Sequence, residues 1–391
     1  MRSLRTYPVI LLTLLLAAWA QGCALIDEKP VDCPGDVTLT LTVSPFDNVE
    51  EELADKLSST KDLPIRNALV DYITPVFTHT VHDVDFSFFD QRKGGIRTVH
   101  LADVIDGDQK TFTVRLPASD YRYGLAGNLE ANPSVTVADA EKEDELYLIQ
   151  TGGTSESHRV GIYSTRRRAL VRKDHEEHFA ATLAMNNAAA ALILNRDSCE
   201  VKGIRATYQG MADSFSILDS MYHYDRKTVV KADVIDVTPY MTATGSDQDL
   251  PLDASPWGYD MSWTQWTKVP LMVCAASFPS RIIGTDIIGS SVVIWTINLY
   301  VDLADGTTTR NDIYIGQPVQ AGHLKIIKGW LQANGSFAPT PPLSPTPGGG
   351  GGGHNPPKPP EPDPDPTDTT TVVGVSVMLN WKDGMTYEPS L

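Results

Sequence analysis

Residues 36–43 read Asp-Val-Thr-Leu-Thr-Leu-Thr-Val, with an apolar side chain at every second position. Such alternation is typical of a half-buried strand. The same pattern, or a short apolar run closed by a turn, returns along most of the chain, at 84–88, 112–116, 146–149, 201–208, 291–303 and 324–330. Many short strands separated by turns indicate an all-β protein built of sandwiches, rather than alternating β and α units.

Two regions depart from this simple pattern. Residues 49–73 mix leucine and isoleucine with charges at helix-like spacing, but Pro64 and Pro75 limit any helix there to short pieces. The alanine-rich region 180–194 is interrupted by Asn186-Asn187, and we predict two strands that meet there. Asp305-Gly306 and Asn334-Gly335 are further turn signals. These features predict an N-terminal domain over 36–185 and a C-terminal domain over 186–391.

The N-terminus carries the signature of export. Arg2 and Arg5 precede an apolar run over 9–20, which is too short to span a membrane, and the run is closed by Gly22-Cys23. The ending resembles the lipobox of bacterial lipoproteins, in which the cysteine receives a lipid and becomes the new N-terminus. We therefore predict a signal peptide over 1–22, lipidation of Cys23 and a tether over 23–35. The alternative is an ordinary signal peptide that contains a cysteine.

The charge of the chain restricts its partners. The 391 residues include 32 Lys and Arg and 49 Asp and Glu, for a formal net charge of −17. This excess of negative charge opposes contact with phosphates, so the composition argues against nucleic acid binding. It also gives no reason for electrostatic attachment to anionic lipid, so a membrane location requires a covalent anchor.

The cysteines leave two alternatives open. If Cys23 is lipidated, an oxidising exterior permits one disulfide among the remaining three, and Cys199 with Cys274 is the favoured pair. Equally, all three could be small buried apolar side chains.

The C-terminal region contains a low-complexity segment followed by a strand. Twelve prolines surround the glycine run 348–353 within 339–371, a composition that predicts a flexible insertion. The strand predicted over 372–381 then presents alternating apolar residues: Val373, Val375, Val377, Leu379 and Trp381. We expect this strand to pair beside 324–330 in its own domain, and the alternative is donation to a neighbouring subunit.

The chain shows no complete catalytic motif. In His175-Glu176-Glu177-His178 the histidines are three apart, not four as in zinc proteases, and a charged loop is the better interpretation. The segment 153–157 lacks the closing glycine of a nucleophile elbow, because Ser157 stands there. The paired aspartates Asp83 and Asp85 lie in a strand pattern. We therefore expect no enzyme activity, no cofactor and no metal site.

One aromatic group could bind sugar. Four rings are concentrated within ten residues: Trp257, Tyr259, Trp263 and Trp266. Flat rings can cover the apolar faces of pyranoses, although such clusters more often serve core or interface packing.

Several short segments together resemble one family. They are Asp32-Cys33-Pro34, the strand Val84–Asp90 ending in Phe-Asp, Val114–Tyr123 followed by Gly127-Asn128, Ala321-Gly322-His323, and Asn380–Gly384. This set resembles the anchor and accessory subunits of fimbrillin-type (type V) pili from Bacteroidales-type bacteria. The resemblance implies two transthyretin-like β-sandwich domains in tandem, an outer-membrane lipid anchor, display on the cell surface and pilin subunits as partners.

The sequence thus favours a non-enzymatic surface lipoprotein that anchors, tips or assists a fimbria and engages partners by strand pairing. The alternative is a surface lipoprotein that binds glycan or host protein through loops at a sandwich end. The 49–73 insertion and the Pro/Gly-rich segment both depart from the family pattern.

Overall fold

The computed structural model describes residues 34–43, 63–77, 81–104, 111–173, 176–196, 199–225, 228–241, 269–282, 286–288, 291–339 and 375–378. The expected all-β fold is confirmed, because nearly all regular elements of the described chain are strands. The first half contains helix α1 (Leu63–Ile73) and the strands β1 (Pro34–Val43), β2 (Asp83–Asp90), β3 (Ile96–Val104), β4 (Thr111–Pro117), β5 (Asp120–Gly127), β6 (Val135–Val137), β7 (Tyr147–Gln150), β8 (Thr154–Ser155), β9 (Tyr163–Leu170) and β10 (Glu177–Met185).

The second half is longer and contains more strands. It holds the short helix α2 (Thr238–Met241) and the strands β11 (Ala188–Asn195), β12 (Val201–Gln209), β13 (Ser214–Ser216), β14 (Met221–His223), β15 (Val229–Ile235), β16 (Leu271–Ser277), β17 (Asp286–Ile288), β18 (Ser291–Val293), β19 (Trp295–Leu303), β20 (Thr308–Ile315), β21 (His323–Leu331), β22 (Phe337–Ala338) and β23 (Val375–Met378). The strand predicted over 291–303 is divided at Ile294 into β18 and β19.

The first sheet folds over on itself at β10. Its strand order is β3-β2-β5-β9-β10-β1-β4. The end of β10 pairs with β9, whereas its longer first part pairs with β1. Phe86 of β2 therefore meets Phe112 of β4 across the interior, with ring centroids 5.3 Å apart. The result is a sandwich closed around an apolar core.

The second sheet folds over at β15 in the same way. Its main path is β20-β19-β12-β15-β16-β11-β21-β22, with β23 also paired to β21. Residues 229–232 of β15 pair with β12, and residues 233–235 pair with β16. The turns predicted at Asp305-Gly306 and Asn334-Gly335 follow β19 and β21, where Gly306 and Gly335 have the positive φ values of 89° and 79°.

The layer formed by β16, β11 and β21 is buried on both faces. In β11, every residue from Ala188 to Asn195 is buried. Alternate residues enter two clusters: the large core, shared with α1 and the first sandwich, and the second core, shared with β12 and β19. A continuous apolar run such as 188–194 is typical of a strand covered on both sides.

Helix α1 covers one face of this layer. Pro64 lies in its first turn, where a missing N–H costs nothing, and the Thr74 hydroxyl donates to the Val70 carbonyl (2.7 Å) just before Pro75 ends the helix. Tyr72 donates to Asp233 of β15 (2.7 Å). The described part of the predicted insertion, Leu63–Ile73, therefore contacts both halves. No described helix is long and apolar enough to cross a membrane.

The two halves meet in shared structure around Asn186-Asn187. These residues connect β10 to β11, as the sequence predicted for the two alanine-rich strands. A small sheet with the order β14-β13-β7-β6 takes strands from both halves. β1 begins at Pro34, slightly before the predicted residue 36. Independent folding of 36–185 and 186–391 stays a prediction.

Candidate functional site: the outer edge of strand β21

One edge of β21 pairs with a single long strand, and the other edge pairs with two short strands. Its inner edge pairs in parallel with β11, from Leu324 opposite Ala189 to Trp330 opposite Asn195. Its outer edge pairs with two separate short strands, both antiparallel to it. β22 pairs with Trp330 and Leu331, and β23 pairs with residues 323–326. The outer edge of β21 is the candidate site.

The registers of β22 and β23 show that the two strands are collinear along the outer edge of β21. Ala338 is opposite Trp330 and Val375 is opposite Ile326, so both strands run in the same direction and are separated by three positions of β21. Residues 339–374 thus connect two short strands that lie one after the other along the same edge of β21. The sequence predicted that 339–371 is a hairpin insertion before the terminal strand, and the two described strands on either side of it, β22 and β23, both lie along the outer edge of β21.

The predicted C-terminal strand residues are only partly described. Val377 lies opposite Leu324 and Val375 opposite Ile326, so the strand pairs within its own chain at the expected place. Val373, Leu379 and Trp381 lie outside the described residues, as do Cys23 and the aromatic group Trp257, Tyr259, Trp263 and Trp266.

Glycine at position 329 permits close packing beside β22. A Cβ at Gly329 would lie 2.1 Å from the Phe337 ring of β22. Phe337 packs against the second core. The ring thus covers the glycine from the neighbouring strand, and this contact holds the Phe337 end of the interrupted strand.

A fully buried lysine lies under the β23 part of the edge. Lys325 has no exposed surface, and its Nζ donates to Gln317 Oε1 at 2.6 Å. The main chain of Gln317 is fixed in place, because its main-chain carbonyl accepts a hydrogen bond from Trp295 Nε1 (2.9 Å). Burial lowers the pKa of Lys325 to about 8. In the described part of the chain, no carboxylate forms an ion pair with this lysine.

β21 begins at a fixed point between the two halves. The Gly322 N–H donates to the Asn187 carbonyl (2.7 Å), and Gly322 adopts a positive φ of 74°. The Asn187 side chain accepts from the Ile162 N–H and contacts His158 Nδ1 at 2.9 Å. The segment Ala321-Gly322-His323 therefore sets the start of β21 against the junction.

His158 in this junction is an uncharged histidine. It is completely buried, burial lowers its pKa to about 3, and its Nε2 has no hydrogen-bond partner among the described residues. Sequence reasoning did not select His158, Asn187 or Lys325. The strand carries two lysines, and the sequence alone did not distinguish the buried Lys325 from the partly exposed Lys328.

The structure favours one of the two alternatives for the cysteines. Cys274 of β16 lies in the large core and Cys199 lies in the second core, on opposite sides of the same layer. Both are completely buried, and neither forms a disulfide among the described residues. The proposed Cys199–Cys274 bond is thus absent, and the sulfurs pack as small apolar groups.

The weak chemical motifs have structural roles where they are described. Ser157 Oγ accepts from the Ala276 N–H (2.9 Å), and Asp83 accepts from the Leu129 N–H (2.7 Å). Glu177 and His178 open strand β10. No group of three or more potential metal ligands occurs among the described residues.

No protein-family profile and no curated protein matches the chain. Among solved structures, a candidate adhesin of Bacteroides thetaiotaomicron has a TM-score of 0.44 and 12% identity, over 80% of this chain and 95% of that chain. The fimbrial anchor protein Mfa2 of Porphyromonas gingivalis has a TM-score of 0.42 and 10% identity, over 76% and 91%. A fimbrial assembly protein of Parabacteroides distasonis has a TM-score of 0.34 and 10% identity, over 78% and 94%.

These identities and TM-scores are too low for function to be transferred. None of these similar proteins is described as an enzyme. These three structures are described as those of a candidate adhesin, a fimbrial anchor protein and a fimbrial assembly protein, all from Bacteroidales.

Proposed function

We propose that the chain is a surface lipoprotein of the fimbrial type, held to the outer membrane by a lipid on Cys23. It exchanges β23 for a strand of a pilin subunit at the outer edge of β21. The observation that carries this proposal is the asymmetry of that edge. The inner side of β21 pairs with β11 at seven positions, whereas the four described residues of β23 pair with its outer side and follow β22 after a long Pro/Gly-rich segment.

Several physical features support the choice of this edge. β21 is anchored on its inner side by β11 and is packed on both faces, so its outer edge keeps its shape when β23 leaves. An edge strand with free N–H and C=O groups is a template for pairing with another chain. Backbone hydrogen bonds would supply affinity, and side-chain pockets would supply specificity.

A reversible disulfide between β21 and β23 tests the strand exchange. His323 and Met378 are directly opposite each other, a spacing compatible with a disulfide. We expect the double variant His323→Cys with Met378→Cys to lose pilin capture when oxidised and to regain it when reduced. The single variant His323→Cys is the control. Equal pilin capture by the oxidised and reduced double variant would contradict the exchange.

The lipid anchor is tested separately. The apolar run closed by Gly22-Cys23 motivates it. Several buried acyl chains, each CH₂ contributing about 0.8 kcal/mol, hold a protein on a bilayer almost irreversibly. Cys23→Ala should release the protein from the membrane fraction, and Cys33→Ala should not. A Cys23→Ala protein that remains acylated and membrane-bound would sink this part of the proposal.

A second candidate function rests on the aromatic group around Trp257. Four rings within ten residues would suit a platform for the apolar face of a glycan, bound by the monomer. Glycan binding that is lost in Trp257→Ala, in a chain that captures no pilin, would favour this function over the first.

A further inference from the structure

We infer that Lys325 selects the strand that occupies the outer edge of β21, favouring a partner strand that carries a carboxylate opposite it. This inference rests on the proposed strand exchange. It names the feature of the partner that the edge recognises: an Asp or Glu at one defined register position.

The first support is the isolation of the Lys325 ammonium group. It has no exposed surface, and its single described hydrogen bond is to a neutral amide oxygen of Gln317. A buried ammonium loses its hydration, and one amide does not fully replace it. The depressed pKa of about 8 reflects the same cost. A carboxylate beside Nζ would recover much of it, because charge-assisted hydrogen bonds are the stronger ones.

The second support is the register. Ser376 is the residue of β23 directly opposite Lys325. Opposite residues of an antiparallel pair share a face of the sheet, with Cβ atoms about 4.5–5.5 Å apart. A Glu or Asp at this position can therefore reach Nζ, whereas the chain's own strand supplies only a serine.

The consequence is that the β21 edge prefers a partner strand with a carboxylate over the chain's own β23. The chain's own strand occupies the edge, and none of the described residues supplies a counter-charge to the lysine. A partner strand with a carboxylate at this position gains an interaction that the resident strand lacks. Selectivity arises from that difference between two occupants, and not from the affinity of either one alone.

A double-mutant cycle in the otherwise unchanged chain tests the preference. Ser376→Glu should slow hydrogen exchange at the amides of residues 323–326 about tenfold relative to the uncharged control Ser376→Gln. The gain should vanish when Lys325→Met is also present, because the coupling belongs to the pair. Equal exchange in Ser376→Glu and Ser376→Gln, or a gain that survives Lys325→Met, would overturn the inference.

Pilin capture separates this inference from the proposed function. Ser376→Glu should reduce capture at least several-fold relative to Ser376→Gln, because the resident strand now competes better. If the cycle shows coupling but removal of 372–391 leaves capture unchanged, the strand exchange fails and the carboxylate preference of Lys325 stands.

Discussion

β1 and β23 are terminal strands of the described chain, and they are held very differently. β1 lies between two neighbours, with residues 37–43 paired to β10 and residues 34–40 paired to β4. Within the part of the chain that the structure describes, β23 pairs with β21 alone, at four positions. Val37 and Leu39 of β1 are buried in the large core. Neighbours on both sides therefore lead us to expect that β1 is held more firmly than β23.

The largest effect is expected in β1. Leu39→Ala removes a buried side chain from the centre of a strand that two neighbours hold in place, so the cavity cannot collapse easily. We expect the free energy of unfolding to fall by about 2–5 kcal/mol, measured by denaturant titration. Thr40→Ala, a partly exposed neighbour on the same strand, is the control. A loss below 1 kcal/mol would show that β1 is held no better than β23.

Removal of β23 should cost less. A chain ending at residue 371 loses the four described residue pairs of β23 at one edge, and we expect a loss of about 2 kcal/mol in the free energy of unfolding with the rest of the fold intact. The exposed edge of β21 should also promote self-association, measured by analytical ultracentrifugation. Global unfolding of the truncated chain would place β23 in the same class as β1.

The junction gives a pH-dependent test of how firmly β21 is positioned. The folded-state pKa of His158 is about 3, below its unfolded value near 6.5. Its contribution to stability is therefore complete above pH 6.5 and declines as the pH falls toward 3, by about 1.4 kcal/mol per pH unit. Substitution His158→Gln should remove this component of the pH dependence, and His178→Gln, at an exposed position, should not.

The smallest effect concerns the β22 end of the same edge. Gly329→Ala would push the Phe337 ring aside and cost about 1 kcal/mol. Gly153→Ala, where a Cβ would meet nothing within 4 Å, is the matched control. If Gly329→Ala is as stable as Gly153→Ala, Phe337 does not hold the interrupted strand.

The strands were predictable because alternation reports a face that is buried on one side. Phe86, Phe112 and Leu39 follow that rule, and their strands appear where the sequence indicates. The run Ala188–Leu194 departs from alternation because both faces of its layer are covered, and its continuous apolar character indicates this. The pattern does not report that α1 is the element that covers one of those faces.

The candidate site was predictable only in outline. Alternation at 372–381 and the apolar strand over 324–330 indicate that the two should pair. The register that sets Ser376 opposite Lys325, and the burial of Lys325 itself, depend on which segments meet after a long connection. The alternation of apolar residues carries no information on the register between β21 and β23.

The position of β1 also has a mechanical consequence. A pull applied through Pro34 along the strand axis loads the hydrogen bonds to β4 and β10 together, in shear. Such an arrangement yields only when many bonds break at once. β23 instead can be peeled from β21 pair by pair. If the chain is tethered at its N-terminus, tension on the fibre would thus be carried by the strand least able to slip.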